Sequence, residues 1–193
     1  MCILRDDAAR RTLKGRAERG YTLLELVVVV SIVAVMAAVA LPSMRPAEDQ
    51  RLDHAAAWIA ESVRFARAEA LRTGNPVHLE VNETSGRLRV TVADLSGPSA
   101  AAGAELRDPI SKQPYDFVVS DLPDMRGIDI TAKSFDYPSG GRTETVVFDA
   151  RGLPFTKSSD NFMRLTLGEI QIALGDRERN VYVAPLTGRV TLD

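Results

Sequence analysis

Residues 20–41 read GYTLLELVVVVSIVAVMAAVAL. From Leu26 to Leu41 the chain runs 16 residues with one hydroxyl, Ser31, and no charge. Extended back to Tyr21, the run has 21 residues and a single charge, Glu25. A helix of about 20 apolar residues is long enough to span the hydrocarbon core of a bilayer. Ahead of this run, residues 1–20 carry Arg5, Arg10, Arg11, Lys14, Arg16 and Arg19 against Asp6, Asp7 and Glu18. A basic flank holds its end of a membrane helix on the cytoplasmic side. The pattern therefore predicts a single-pass protein with a cytoplasmic N-terminus and the rest of the chain across the membrane.

Three readings of this N-terminus compete. A secretory signal peptide would be cut after the apolar run, at small residues such as Ala38 and Ala40. A signal anchor would not be cut at all. The third reading places processing at Gly20, before the run. Glu25 separates them, because a charged side chain near a membrane helix costs energy, on the order of 2.5–3.5 kcal/mol at the bilayer centre and less towards its ends. A plain anchor gains nothing from that charge, and a simple signal peptide rarely has one there.

The run Gly20-Tyr21-Thr22-Leu23-Leu24-Glu25-Leu26-Val27-Val28-Val29 resembles the class III signal of type IV pilins and pseudopilins. Tyr21 stands where that family more often has phenylalanine, and the aromatic ring is kept. The resemblance implies that a prepilin peptidase cuts the Gly20–Tyr21 bond and methylates the new amine of Tyr21. It implies that Glu25 serves subunit assembly by meeting the terminal amine of a neighbour. The implied partners are that peptidase, other pseudopilins or pilins in a filament, and an inner-membrane secretion or pilus assembly platform. Residues 1–20 are then a cleaved leader, 21–42 a transmembrane helix and 43–193 a periplasmic domain.

Pro42 closes the apolar run, since proline ends or kinks a helix. Beyond it Leu52, Ala56, Ile59, Val63, Ala66 and Ala70 recur at steps of three and four, which is one face of an α-helix. Trp58 and Phe65 share a neighbouring stripe. Gly74, Asn75 and Pro76 supply stop signals. Residues 21–73 thus read as one long bent helix, amphipathic over 44–73. Its alanines suit close packing on the chain's own sheet better than a coiled-coil seam.

From Pro76 the period changes to two. Val77, Leu79 and Val81 alternate with polar residues, Asn82 to Gly86 turns the chain, and Leu88, Val90 and Val92 alternate again, as in a hairpin. Residues 94–115, with two glycines and three prolines, read as a long irregular excursion. Short strands are predicted around Ile128 and Ile130, at Thr145 to Phe148, at Val181 and Val183, and at Val190 and Leu192. Met163, Leu165 and Leu167 alternate on odd numbers, and Ile170, Ile172 and Leu174 on even ones. That switch predicts a bulge or tight turn at Gly168-Glu169. The sum is an α+β fold, a long N-terminal helix packed on a β-rich region over 76–193 with seven or eight antiparallel strands.

This part also carries a resemblance. Phe65-Ala66-Arg67-Ala68-Glu69-Ala70, Val147-Phe148-Asp149-Ala150-Arg151-Gly152-Leu153 and Gly188-Arg189-Val190 are similar to the GspH/FimT family of minor pseudopilins and minor pilins. It implies a structural subunit of the type II secretion pseudopilus, assisting export of folded proteins across the outer membrane. The alternative is a FimT-like minor pilin of a type IV pilus, serving pilus assembly, adhesion or DNA uptake.

Other chemistry finds little support. The chain is 45% hydrophobic and 26% charged, a globular composition. One cysteine, Cys2, and two histidines, His54 and His78, exclude a disulfide framework and a structural zinc site. No Walker loop, dinucleotide fingerprint or nucleophile elbow occurs. The expectation is no enzyme, no metal and no cofactor. Beyond the leader the chain keeps 18 of its 24 basic and 23 of its 26 acidic residues. With Arg189 the only base in the tail, nucleic acid is not an expected partner. Gly140-Gly141-Arg142 reads as a turn rather than an anion nest, and Asp121 and Asp124 as loop residues rather than calcium ligands. His54 beside Asp53 reads as a solvated helix position, and Arg151 and Arg189 as surface salt-bridge residues.

Overall fold

The computed structural model describes residues 21–40, 45–138 and 141–193. The chain divides after Ser43 into two units. The first contains helix α1 (Leu23–Ala40). The second begins, among the described residues, with helix α2 (Arg45–Thr73) and continues into twelve described strands. The fold is therefore α+β, as expected, with more strands than the seven or eight predicted. The predicted bend at Pro42 lies outside the described residues.

α2 is helical because its apolar residues repeat at the helical period and it is rich in alanine. The predicted stripe of Leu52, Ala56, Ile59, Val63, Ala66 and Ala70 is buried along its whole length. Each fully buried aliphatic side chain contributes roughly 1.5–3 kcal/mol. The stripe faces two sheets. One has the order β3-β2-β1-β7-β8-β9, with β4 also paired to β2. Its strands are β1 (Val77–Asn82), β2 (Arg87–Asp94), β3 (Ala101–Glu105), β4 (Asp116–Val118), β7 (Thr145–Phe148), β8 (Pro154–Ser158) and β9 (Asn161–Arg164). The other has the order β12-β11-β10-β5-β6, from β5 (Asp129–Tyr137), β6 (Gly141–Thr143), β10 (Leu167–Leu174), β11 (Arg177–Val183) and β12 (Val190–Leu192). α2 touches β1 and β7 of the first sheet and β10, β11 and β12 of the second. Small side chains at 56, 66 and 70 permit that approach.

The hairpin appears where the alternation put it, with Val77 opposite Val92 and Asn82 opposite Arg87. Its turn needs Gly86 at a positive φ of 63°. Two expectations fail. Residues 101–105, taken as part of an irregular excursion, form β3 and pair with the outer half of β2. The parity switch near Gly168 is not a bulge there. β9 belongs to the first sheet and β10 to the second, so the switch marks the crossing at Leu165 and Thr166. Gly168 lies buried on the core side of β10. A Cβ on it would stand 2.8 Å from Leu165 and from Val183, which explains a glycine inside a strand. The bulge in β10 falls instead between Gln171 and Ile172, opposite β5.

α2 also carries the aromatic stripe. Phe65 stacks on Tyr115 at 4.5 Å between centroids. Trp58 and Tyr115 each meet Phe117 edge to face, at 5.4 and 5.1 Å. The buried Tyr115 hydroxyl donates to Ser62 Oγ at 3.0 Å, and Ser62 in turn donates to the Trp58 carbonyl. Burial raises the Tyr115 hydroxyl above its usual range, against the bond to Ser62. The outer end of α2 is tied down by Arg67, whose Nε donates to the carbonyls of Gly152 and Thr187. Gly188 sits beside this tie at φ 63°; a Cβ there would run into the Gly152 carbonyl.

Candidate functional site

The site predicted from sequence lies on α1. Thr22 precedes the helix, and its carbonyl accepts the first helical bond from the Leu26 N–H at 3.2 Å. Its Oγ1 accepts a second from the Glu25 N–H, also at 3.2 Å. Thr22 is thus the N-cap and Glu25 the third helical residue, which is the Thr-x-x-Glu spacing of a capping box. A carboxylate in the first turn also faces the positive end of the helix dipole. Ser31 satisfies its hydroxyl on the Val27 carbonyl, so the only side-chain oxygen of the apolar run adds no unpaired group.

No described side chain of α1 is covered. Every large apolar residue from Leu23 to Met36 lies between 48% and 83% exposed. Exposed apolar surface of this extent marks a binding or membrane surface. Among the described residues no helix is long and apolar enough to cross a membrane. Described side chains of α1 end at Ala37, and the end of the expected 21–42 span lies outside the described residues. Gly20 and the leader also lie outside them. Tyr21, the first described residue, is 83% exposed. No described side chain pairs with the Glu25 carboxylate.

The remaining candidates are placed singly. His54 and Asp53 are exposed, and Asp53 pairs with Arg179 of β11 at 2.7 Å. Asp121 ends a 3₁₀ turn, Val119–Asp121. Asp124 has a positive φ, and its carbonyl accepts from Arg51 of α2 at 3.0 Å. Among the described residues no acidic or histidine cluster could hold a metal. Gly140 is outside the described residues; Arg142 lies 3.8 Å from Asp136. Arg151 pairs with Asp149 across the β7–β8 turn at 3.4 Å. Burial works to raise the Asp149 carboxyl, but the Leu153 and Arg151 N–H groups outweigh it and hold it below the usual range. Asp149 thus shapes the turn. Arg189 is exposed.

Sequence reasoning missed the role of the 94–125 segment. Its alternating Tyr115, Phe117 and Val119 were hidden among prolines and glycines. That period of two was the available signal; Tyr115 and Phe117 cover the aromatic stripe of α2, and Val119 is buried in the core.

A model of the prokaryotic N-terminal methylation motif matches residues 15–41. No curated protein matches the chain. Two crystal structures of the type IV minor pilin FimU of Pseudomonas aeruginosa, in space groups P21 and P65, are similar at 17% identity. The first covers 76% of this chain and 90% of that one, with a TM-score of 0.48. The second covers 74% and 92%, with a TM-score of 0.45. A model of the Type II transport protein GspH matches residues 55–187, well over half of the chain and nearly all of its second unit, so this protein belongs to the GspH family of pilin-like structural subunits.

Proposed function

We propose that the protein is a minor pseudopilin that enters a type II secretion pseudopilus through α1. The observation that carries this reading is the pairing, in one chain, of a methylation motif with a GspH domain. The uncovered apolar surface of α1 supports it. The basic leader keeps the scissile Gly20–Tyr21 bond at the cytoplasmic face. Cleavage there frees the amine of Tyr21, which the peptidase methylates. α1 then anchors the subunit in the inner membrane, and the GspH domain stands in the periplasm.

Glu25 has the assembly role. Its N–H is already satisfied by Thr22, so the cap does not depend on the carboxylate. A charge inside an apolar helix is tolerable when an opposite charge meets it. The Tyr21 amine of an adjacent subunit supplies that charge. Glu25→Leu should therefore be cleaved and inserted normally yet fail to support secretion. Glu25→Asp should be partly active, because the charge stays while its reach shortens. The assay is complementation of a deletion strain for secretion and, separately, for piliation, beside N-terminal sequencing of the membrane-extracted protein. Restored secretion supports the pseudopilus; restored piliation alone would assign the chain to a type IV pilus. A mature N-terminus other than Tyr21, or full activity with Glu25→Leu, overturns the mechanism.

A further inference from the structure

Between β3 and β4 the chain leaves the edge of the first sheet as a short two-stranded arm. Arg107 and Pro114 form a β-bridge. The Tyr115 N–H donates to Leu106 O at 2.7 Å, and the Asp108 N–H to Gln113 O at 2.9 Å. The tip is bonded throughout. Asp108 accepts from the N–H groups of Ile110 and Ser111 and from the Ser111 hydroxyl. Arg107 Nη1 donates to Lys112 O at 2.8 Å, and Lys112 Nζ to Pro109 O at 2.5 Å. This ordered tip presents Ile110, which is 91% exposed. A large aliphatic side chain held in water on a fully bonded turn gains nothing for the fold it stands on. It is free to enter an apolar site on a partner.

At the base of the same arm lies a groove of about 710 Å³. Its lining combines apolar Pro114, Phe117 and Leu122 with Glu105, Asp116 and Asp121 against Arg87. Asp116 is spent on a two-pronged ion pair with Arg87, and Glu105 lies 3.9 Å from Arg89, so Asp121 sets the sign of the groove. The tip has the opposite sign, with Arg107 and Lys112 against Asp108. Tip and groove thus match in both apolar character and charge. They also belong to one hairpin, so two arms laid antiparallel place each tip on the other's base.

We propose that the arm is a clasp between two copies of this chain, the Ile110 tip of each entering the acidic groove at the base of the other's arm. Such a contact is isologous and closes on a two-fold axis. The clasp rests on the arm and groove alone and is independent of the secretion reading. It gives the excursion over 94–115 a use beyond covering α2.

The test uses the full chain in detergent, with Cys2→Ser as background. One tagged copy carries Ile110→Cys and a differently tagged copy carries Ser85→Cys, a near-isosteric change in the groove lining. Both sites are exposed, and labelling with a soluble maleimide checks their access. A short bis-maleimide should join the two copies. Lys112→Glu on the first copy should lower the yield at least tenfold, and Asp121→Lys on the second should restore it. Circular dichroism should be unchanged, since these positions lie outside the core. Labelled cysteines that give no mixed dimer would overturn the clasp. Equally, cross-linking of Ile110→Cys only to a different protein, or a yield indifferent to Lys112→Glu, would overturn it.

Discussion

The two helices follow one another in the chain and solve opposite problems. α1 is apolar all round and finds no cover within the described residues. α2 is apolar along one stripe and buries that stripe against two sheets of its own unit. Hydrophobicity alone therefore does not place a residue in a core. A helix joins the core of its own chain when a polar face lets it lie between sheet and water. With no polar face, it requires surroundings that are apolar on every side, such as lipid or other helices of its kind. In this protein the more hydrophobic helix is the one the fold does without.

The sharpest way to break that contrast is to truncate both helices equally. Ile59→Ala on α2 should cost the second unit about 2–5 kcal/mol, the range for deleting a buried aliphatic side chain. Val29→Ala on α1 should leave the unfolding midpoint of that unit unchanged. Urea denaturation in detergent, followed by Trp58 fluorescence, reads both. Comparable losses would mean that α1 is part of the folded core after all.

The next effect concerns the face of the first sheet turned away from α2. His78 and Thr91 are directly opposed there. Both are buried, and among the described residues neither His78 Nδ1 nor Thr91 Oγ1 has a partner. Burial, with Arg89 nearby, pushes the His78 imidazole down to about 4. The unfolded chain takes up this proton near the ordinary value of 6.5. The folded pKa is depressed, so the contribution is fully present above pH 6.5 and is lost as the pH falls towards 4. The loss amounts to on the order of 3 kcal/mol. Stability measured from pH 7 to pH 4 should fall more steeply for the native chain than for His78→Leu. Parallel profiles would mean that water reaches the imidazole in the folded state.

Smaller effects test how α2 is held. Arg67→Ala removes two hydrogen bonds from a charged donor and should cost about 1.5–3 kcal/mol. Thermal melts should show it, with exchange protection lost first around Gly152 and Thr187. Asp53→Asn breaks the ion pair with Arg179, which is partly exposed on both sides. It should cost no more than about 1 kcal/mol, and a melt within a few degrees of the native one checks that. A larger loss would show that α2 is held by charge as well as by its apolar stripe.

Local pattern was enough for the methylation motif, both helices, the hairpin at 77–92 and the turn after Gly74, because each is a period or a cap read within a few residues. The candidate site was proposed from the same short stretch, Gly20 to Glu25, while the capping of the Glu25 N–H by Thr22 emerged only in the structure. Which strands share a sheet was not legible. Period two tells that residues 161–174 are extended, but not that β9 and β10 lie in different sheets. That assignment depends on neighbours far along the chain. The parity switch near Gly168 was visible, and only the packing of Val183 and Leu165 against that glycine explains it. β3, four of whose five residues are alanine or glycine, has almost no side-chain signal, and pairing with β2 alone makes it a strand. Tyr115 and Phe117 looked like residues of a loop until α2 supplied Trp58 and Phe65 opposite them. Sequence by itself determined the helices, the 77–92 hairpin and the N-terminal signal, since propensity, capping and amphipathicity are properties of a short segment. The two-sheet arrangement, the aromatic seam and the exposed arm were decided by tertiary structure, because burial and pairing are settled between segments that local periodicity cannot connect.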